Sequence, residues 1–293
     1  MSPNTLIIFL SIAIIGGSTA ALVKFAVLQF PPVFLVFIRA LFSSLLLLPF
    51  FLKERSNFKK DKISMLILGG LLITANGLLF AFGIQYTSVI AGQLIYVPTA
   101  LIVAILGWIF LKEKIGSNQV VGLALTILGI AILYYGSIST KDKLSFGSPF
   151  GNSLIILGLL CWSGFVVISK KLSKVYTPLQ ITFFSFLTAI PISLIFLPLE
   201  FYNHSISNLN VTTAGILAVA SLIIFSTVLY FFLYQIVINK TSAFSSSLIL
   251  YLQAIIAAII GVIFFDEKLT FLLFVGALLI VIGIIGSTRI KKE

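Results

Sequence analysis

Apolar residues fill this chain in long blocks instead of alternating with polar ones. Ten stretches, at about 4–23, 33–52, 63–82, 89–111, 118–137, 150–169, 179–198, 212–235, 243–265 and 270–288, are apolar almost throughout, and the segments between them carry most of the charge. Each is close to the ~20 residues that a helix needs to cross ~30 Å of hydrocarbon. Backbone in lipid must satisfy its own N–H and C=O groups, and these stretches are too long for barrel strands, so all ten are predicted to be helices. The expected fold class is an all-α integral membrane protein.

The pattern also repeats. A shift of 154 residues lays Glu113 on Glu267, Lys114 on Lys268, Gly107 on Gly261, Gly122 on Gly276 and Gly129 on Gly283. Between positions 79 and 130 this register gives 20 identities in 52, where a sequence so rich in Leu and Ile would match itself at roughly one position in ten. Nearer the start the register is 146, pairing Lys24 with Lys170, Pro32 with Pro178 and Gly16 with Trp162. The second copy therefore carries 154 − 146 = 8 extra residues, in the loop around Glu200 to Val211. The chain divides into two repeats, 1–140 and 141–293, of five spans each. An odd number of spans forces the second repeat to enter the bilayer inverted with respect to the first.

Composition narrows the class. With 60% apolar residues, 9% charged residues and a mean hydropathy of +1.21, the chain has too little polar surface to clothe a soluble globule. Charge sets its orientation. With the N-terminus in the cytoplasm, Lys53, Arg55, Lys59, Lys60, Lys62, Lys112, Lys114, Lys170, Lys171, Lys174, Lys240, Arg289, Lys291 and Lys292 all face inward. Only Lys24, Lys141, Lys143 and Lys268 face outward, which is a strong positive-inside bias. Both termini are expected on the cytoplasmic side of the cell membrane. The net charge of +11 is accounted for by orientation and anionic headgroups and calls for no nucleic-acid partner. The first apolar run has no Lys or Arg before it and continues to Val23, so it reads as an uncleaved span. The single cysteine, Cys161, excludes an internal disulfide.

Two inverted five-helix units point to transport, because such halves can rock about a site at the bilayer midplane and expose it alternately to the two sides. Polar groups inside the spans are the candidates for that site. Arg39 is the one ionisable residue well inside a span, a placement that costs at least ~2.5–3.5 kcal/mol on insertion scales. It lies seven residues beyond Pro32, or about 10 Å along a helix. It either snorkels to headgroups and helix carbonyls or attracts a carboxylate or phosphate.

Ser18, Thr19, Asn76, Gln93, Tyr96 and Thr99 in the first repeat, with Trp162, Ser163, Tyr230, Tyr234, Tyr251 and Gln253 in the second, are expected either to wall a solvated cavity or to bond and pack between helices. Trp162 is too deep for an interfacial belt, whereas Trp108 suits one. Pro98 removes a backbone bond from its helix and bends it, with or without a functional purpose. Glu113 and Glu267 stand just before the fifth and tenth spans, where a carboxylate bonds the orphan N–H groups at the helix start or serves in gating. Gly122, Gly129 and Gly136, like Gly276 and Gly283, recur every seven residues. They prepare either a tight contact of the fifth and tenth spans or a seam between two protomers.

The stretch Pro98 to Gly129, containing Leu111-Lys112-Glu113-Lys114-Ile115, Gly122 and Gly129, resembles the EamA-type repeat of the drug/metabolite transporter superfamily, as does its echo Phe265-Asp266-Glu267-Lys268-Leu269 with Gly276 and Gly283. Trp162-Ser163-Gly164 and Lys170 are similar to the opening of that repeat. Gly16, where the first repeat often has Trp, and Leu252, where the second often has the Pro seen at Pro98, depart from the pattern. The resemblance implies a ten-helix carrier whose central cavity is lined by helices 1, 3, 4, 6, 8 and 9, and which often exports amino acids or related metabolites. Small cationic-drug antiporters of the superfamily use a membrane-embedded Glu, and the first helix here offers none.

Other classes fit poorly. The only histidine, His204, lies in a loop, and no carboxylate pair or metal-ligand spacing exists for intramembrane catalysis. A TVGYG-like filter or a ring of charge, as a channel needs, is missing from the sequence. No cofactor or metal is implied; the partners expected are a small-molecule substrate and the bilayer, as monomer or homodimer. A carrier or flippase for a lipid-linked or nucleotide-linked sugar is the competing transport reading.

Overall fold

In a computed structural model, described for residues 3–111, 117–139, 146–203, 211–247 and 249–288, the apolar blocks form ten helical spans. They are α1 (Pro3–Val27), α2 (Pro32–Glu54), α3 (Ile63–Ile84), α4 (Val89–Tyr96 and Thr99–Leu111), α5 (Ser117–Ser139), α6 (Pro149–Leu172), α7 (Pro178–Asn203), α8 (Thr213–Lys240), α9 (Ala243–Ser247 and Ile249–Phe265) and α10 (Phe271–Thr288). Seven of these are long and apolar enough to span a bilayer by themselves, and the others are shorter apolar helices. Large apolar side chains such as Ile195, Leu199, Ile263 and Phe264 are exposed on the outside of the bundle, as lipid-facing surfaces must be. Trp108 is exposed near the end of α4.

Two spans are interrupted. In α4, Pro98 has no N–H for the carbonyl of Leu94, which accepts from Val97 N at 3.1 Å instead. The carbonyl of Tyr96 is taken by Thr99 Oγ1 at 2.6 Å. A hydroxyl thus repairs the break that the proline makes. In α8, Leu222–Leu229 is a π-helical segment, and Thr227 Oγ1 donates to Leu222 O at 2.8 Å within it. Wide turns of this kind are frequent at functional sites.

Across the repeats, α2 packs on α7, α3 on α6, and α1 on α9 as α6 does on α4. The helices α5 and α10 pack along one another to one side of this core. A Cβ placed on Gly129 would fall 2.6 Å from Ile280 Cγ1 and 2.7 Å from the carbonyl of Gly276. The glycine stripes therefore serve a contact within the chain, with Gly122, Gly276 and Gly283 all buried.

Reciprocal contacts between the ends of helices express the inversion. Glu200, at the end of α7, accepts from Val33 N and Phe34 N at 2.8 Å each at the start of α2. Its equivalent at the 146-residue register, Glu54, accepts from Thr177 Oγ1 at 2.7 Å at the start of α7. The need differs at the two ends. Pro31 supplies no side-chain cap to α2, so Glu200 does so from the other repeat. Thr177 and Gln180 already form a capping box on α7.

Candidate functional site: a cavity between the repeats

Both repeats contribute to a cavity of ≈130 Å³ at the centre of the bundle. Its walls come from α1 (Gly16, Thr19), α2 (Arg39), α3 (Asn76), α4 (Gln93, Tyr96), α6 (Trp162), α7 (Phe186), α8 (Thr227, Tyr230) and α9 (Gln253). The helices α2 and α7 thus join the six that the family resemblance implied. Arg39 reaches the space because it sits on the inner face of α2, and Phe186 and Ala189 of α7 close the wall.

Eight of the residues singled out in the sequence meet here: Thr19, Arg39, Asn76, Gln93, Tyr96, Trp162, Tyr230 and Gln253. Five others, Ser18, Thr99, Ser163, Tyr234 and Tyr251, lie outside the lining. Ser18 turns away and bonds Ile14 O and Ile15 O of its own helix at 3.0 Å. Tyr234 is one turn beyond Tyr230 and fully buried, its ring stacked on that of Tyr230 at 5.7 Å. Tyr251 packs with the Ile90, Leu94 and Phe146 cluster on the other face of α9. Ser163 bonds Leu159 O at 2.8 Å, Thr99 repairs the α4 break, and Glu113 lies outside the described residues.

The polar groups of the wall are tied together. Asn76 Nδ2 donates to Tyr96 OH and, at 2.9 Å, to Gly158 O. Gln253 Nε2 donates to Tyr230 OH at 3.2 Å, and Gln93 Nε2 donates to Gln253 Oε1 at 3.4 Å. Thr19 Oγ1 bonds Ile15 O at 2.7 Å and Ser226 Oγ at 2.9 Å. Trp162 stands among rings, 5.4 Å from Tyr234, 5.7 Å from Phe231 and 6.4 Å from Tyr230.

The space that Gly16 leaves is filled from α9: a Cβ there would fall 2.3 Å from Gln253 Nε2. The missing Trp of the first repeat is thus matched by a Gln in the second. Arg39 is half-buried and donates through Nε to Thr227 Oγ1 at 3.1 Å, in the π-helical segment of α8.

Lys24 and Glu267 form an ion pair of 3.2 Å just past the cavity residue Val23. Glu267 is almost fully buried. It accepts from Val89 N at 2.6 Å and Ile90 N at 2.9 Å, so the helix start that it caps is that of α4 and not the adjacent α10. The reason is local. Thr270 supplies the side-chain bond at the start of α10, accepting from Leu273 N at 3.3 Å, and Asp266 in left-handed backbone (φ 52°) turns the chain so that Glu267 faces inward. Lys24 Nζ also donates to Thr87 O at 2.8 Å. Lys170, its partner in the repeat, donates to Ile238 O at 2.9 Å and to Thr241 O. Thr87 and Thr241 are themselves equivalent at the 154-residue register. The sequence shows both lysines as equivalent positions of the repeat and as charges, but not as helix-junction donors, and it does not single out Glu54 and Glu200 as caps. Their regular 146-residue spacing was the signal available.

Comparison with known proteins agrees with this architecture. The EamA-like transporter family matches residues 4–135 and 149–289, one match for each repeat. The chain belongs to the EamA-like transporter family. Relatives include an uncharacterized transporter of Bacillus subtilis (strain 168), YyaM, 29% identical over 297 residues and covering 99% of this chain and 96% of the relative. Another from the same strain, YetK, is 27% identical over 290 residues, covering 95% of this chain and 84% of the relative. A solved crystal structure shares the fold with a TM-score of 0.64 at 16% identity, over 96% of this chain and 95% of that one. This EamA-family protein is a multi-pass membrane transporter.

Proposed function

We propose that the protein exports amino acids or related small metabolites by alternating access, with both termini in the cytoplasm and the central cavity as the substrate site. The observation that carries this reading is a cavity lined by both repeats, mostly apolar in surface, in which a single guanidinium, Arg39, shares the lining with Asn76, Gln93, Gln253 and several aromatic side chains. In such a carrier the eight lining residues named above contact solute, and the rim contacts at Lys24–Glu267 and Lys170 are broken and remade as the repeats rock. A cavity of this size favours a compact solute over a lipid-linked sugar.

Countertransport into substrate-loaded proteoliposomes tests it. Exchange of a labelled soluble amino acid or related metabolite is expected, and Arg39→Ala should lower that exchange at least about tenfold with membrane insertion unchanged. Movement of labelled lipid alone would replace this reading with that of a flippase.

A further inference from the structure

The cavity has hydrogen-bond donors to spare and no negative charge to meet them. Among its described lining residues Arg39 is the only charged side chain. Its Nε is engaged by Thr227, and among the described residues the terminal nitrogens of the guanidinium have neither a hydrogen-bonding acceptor nor a carboxylate, the only ion pair there being Lys24–Glu267. Trp162 gives an independent sign. Its side chain is 4% exposed, and its Nε1–H is buried without an acceptor. Tyr96 OH and Tyr230 OH both accept, from Asn76 and Gln253, which leaves the phenolic protons themselves to be donated. A buried donor without an acceptor, as at Trp162, is costly, and the half-buried Arg39 brings an unpaired cation to the same cavity.

We infer that the cavity is a site for a small organic monoanion, a carboxylate on an aromatic or branched apolar body, and that it disfavours a solute carrying an ammonium group. The inference narrows the carrier reading above to its acidic metabolites, with amino acids as the weaker ligands, and rests on that reading only for the step of transport. A guanidinium fork is matched in geometry by one carboxylate. One cation without a neighbouring Lys or Arg suits a single negative charge better than a phosphate dianion. Phe186, Trp162, Tyr230 and Phe231 supply the apolar walls for the body of the ligand, in a volume of the order that accepts a benzene-sized molecule, about 150 Å³. An ammonium group meets no carboxylate on these walls, so a deaminated acid binds better than the amino acid of the same body.

Three probes that share one ring isolate the charge: phenylacetate, phenylalanine and phenethylamine. With the purified full-length protein in detergent, thermal unfolding should shift upward strongly with phenylacetate, less with phenylalanine and not with phenethylamine. Arg39→Gln should weaken phenylacetate at least about tenfold, Arg39→Lys less, and Trp162→Phe, which keeps a ring and removes the N–H, about three- to tenfold. Should Arg39→Gln not fold, the Lys and Trp162→Phe variants decide. Equal stabilisation by phenethylamine, no response to any of the three probes, or an unchanged phenylacetate response in the folded variants overturns the anion site. Binding through Arg39 without exchange of labelled phenylacetate across liposomes keeps the site and removes the carrier reading. Exchange of phenylalanine that is indifferent to phenylacetate and to Arg39 keeps the carrier and removes this inference.

Discussion

Lys24 and Lys170, one from each repeat, both close a helix junction by donating to a threonine carbonyl, Thr87 and Thr241. Gly16 and Trp162, two turns earlier in the same two helices, share neither size nor polarity. The same contrast holds elsewhere. Glu54 and Glu200 reach equivalent helix starts at the rim, whereas Arg39 and Asn76 in the cavity correspond to Ser185 and Tyr230 in the other repeat. The junctions hold the fold and must work in either repeat, so they keep the duplication. The cavity holds a ligand that has no twofold axis of its own, so its two halves are free to differ.

The largest effect should come from breaking a junction. Glu267→Ala leaves Lys24 without its counter-charge and uncaps Val89 and Ile90 at the start of α4. Removing one partner of a buried pair costs about 3–5 kcal/mol. A lower unfolding midpoint in detergent, partly recovered when Lys24→Met is added, would register it, and an unchanged midpoint would deny the junction its structural weight.

Making the cavity symmetric should act on transport more than on stability. Gly16→Trp pushes an indole into the space now held by Gln253. Overpacking costs about 1–3 kcal/mol, and solute exchange should fall at least about tenfold while the protein still purifies as a folded species. Normal exchange would mean that the cavity tolerates the symmetry it lacks.

The smallest effect separates the two carboxylates of the rim. Glu200→Gln removes the charged acceptor of two backbone N–H groups on α2 and should cost about 1.5–3 kcal/mol. Glu54→Gln loses one contact to a helix start that Thr177 and Gln180 already cap, and should cost under about 1 kcal/mol. Equal losses in thermal midpoint would remove the asymmetry assigned to Pro31.

Much of this was legible in the sequence. The blocks of apolar residues gave ten spans to within a few residues, because hydrocarbon thickness and backbone satisfaction leave few alternatives. Identity at fixed offsets gave the duplication. The α5–α10 contact followed from glycines at seven-residue spacing, although only the packing of Gly129 on Ile280 and Gly276 chose it over a seam between protomers. Side-chain direction was less accessible. Ser18 and Thr19 are neighbours of similar chemistry that both bond their own helix backbone, and helical rotation alone puts Thr19 in the cavity lining and Ser18 outside it. Glu267 was read with the helix that follows it, since spacing along the chain carries no record of Asp266 turning the carboxylate toward α4. Glu54 and Glu200 resemble ordinary charges at helix ends until the opposite repeat is brought beside them.

The central claim is that two inverted repeats enclose one shared cavity, and its most direct test is sidedness. Ser56 and Tyr202 are equivalent at the 146-residue register and both exposed. In a Cys161→Ser background, single Ser56→Cys and Tyr202→Cys variants are treated with a membrane-impermeant maleimide on intact and on permeabilised cells. Labelling of Tyr202→Cys on intact cells, with Ser56→Cys reached only after permeabilisation, is the predicted result. Labelling of both from the same side of the membrane would contradict it.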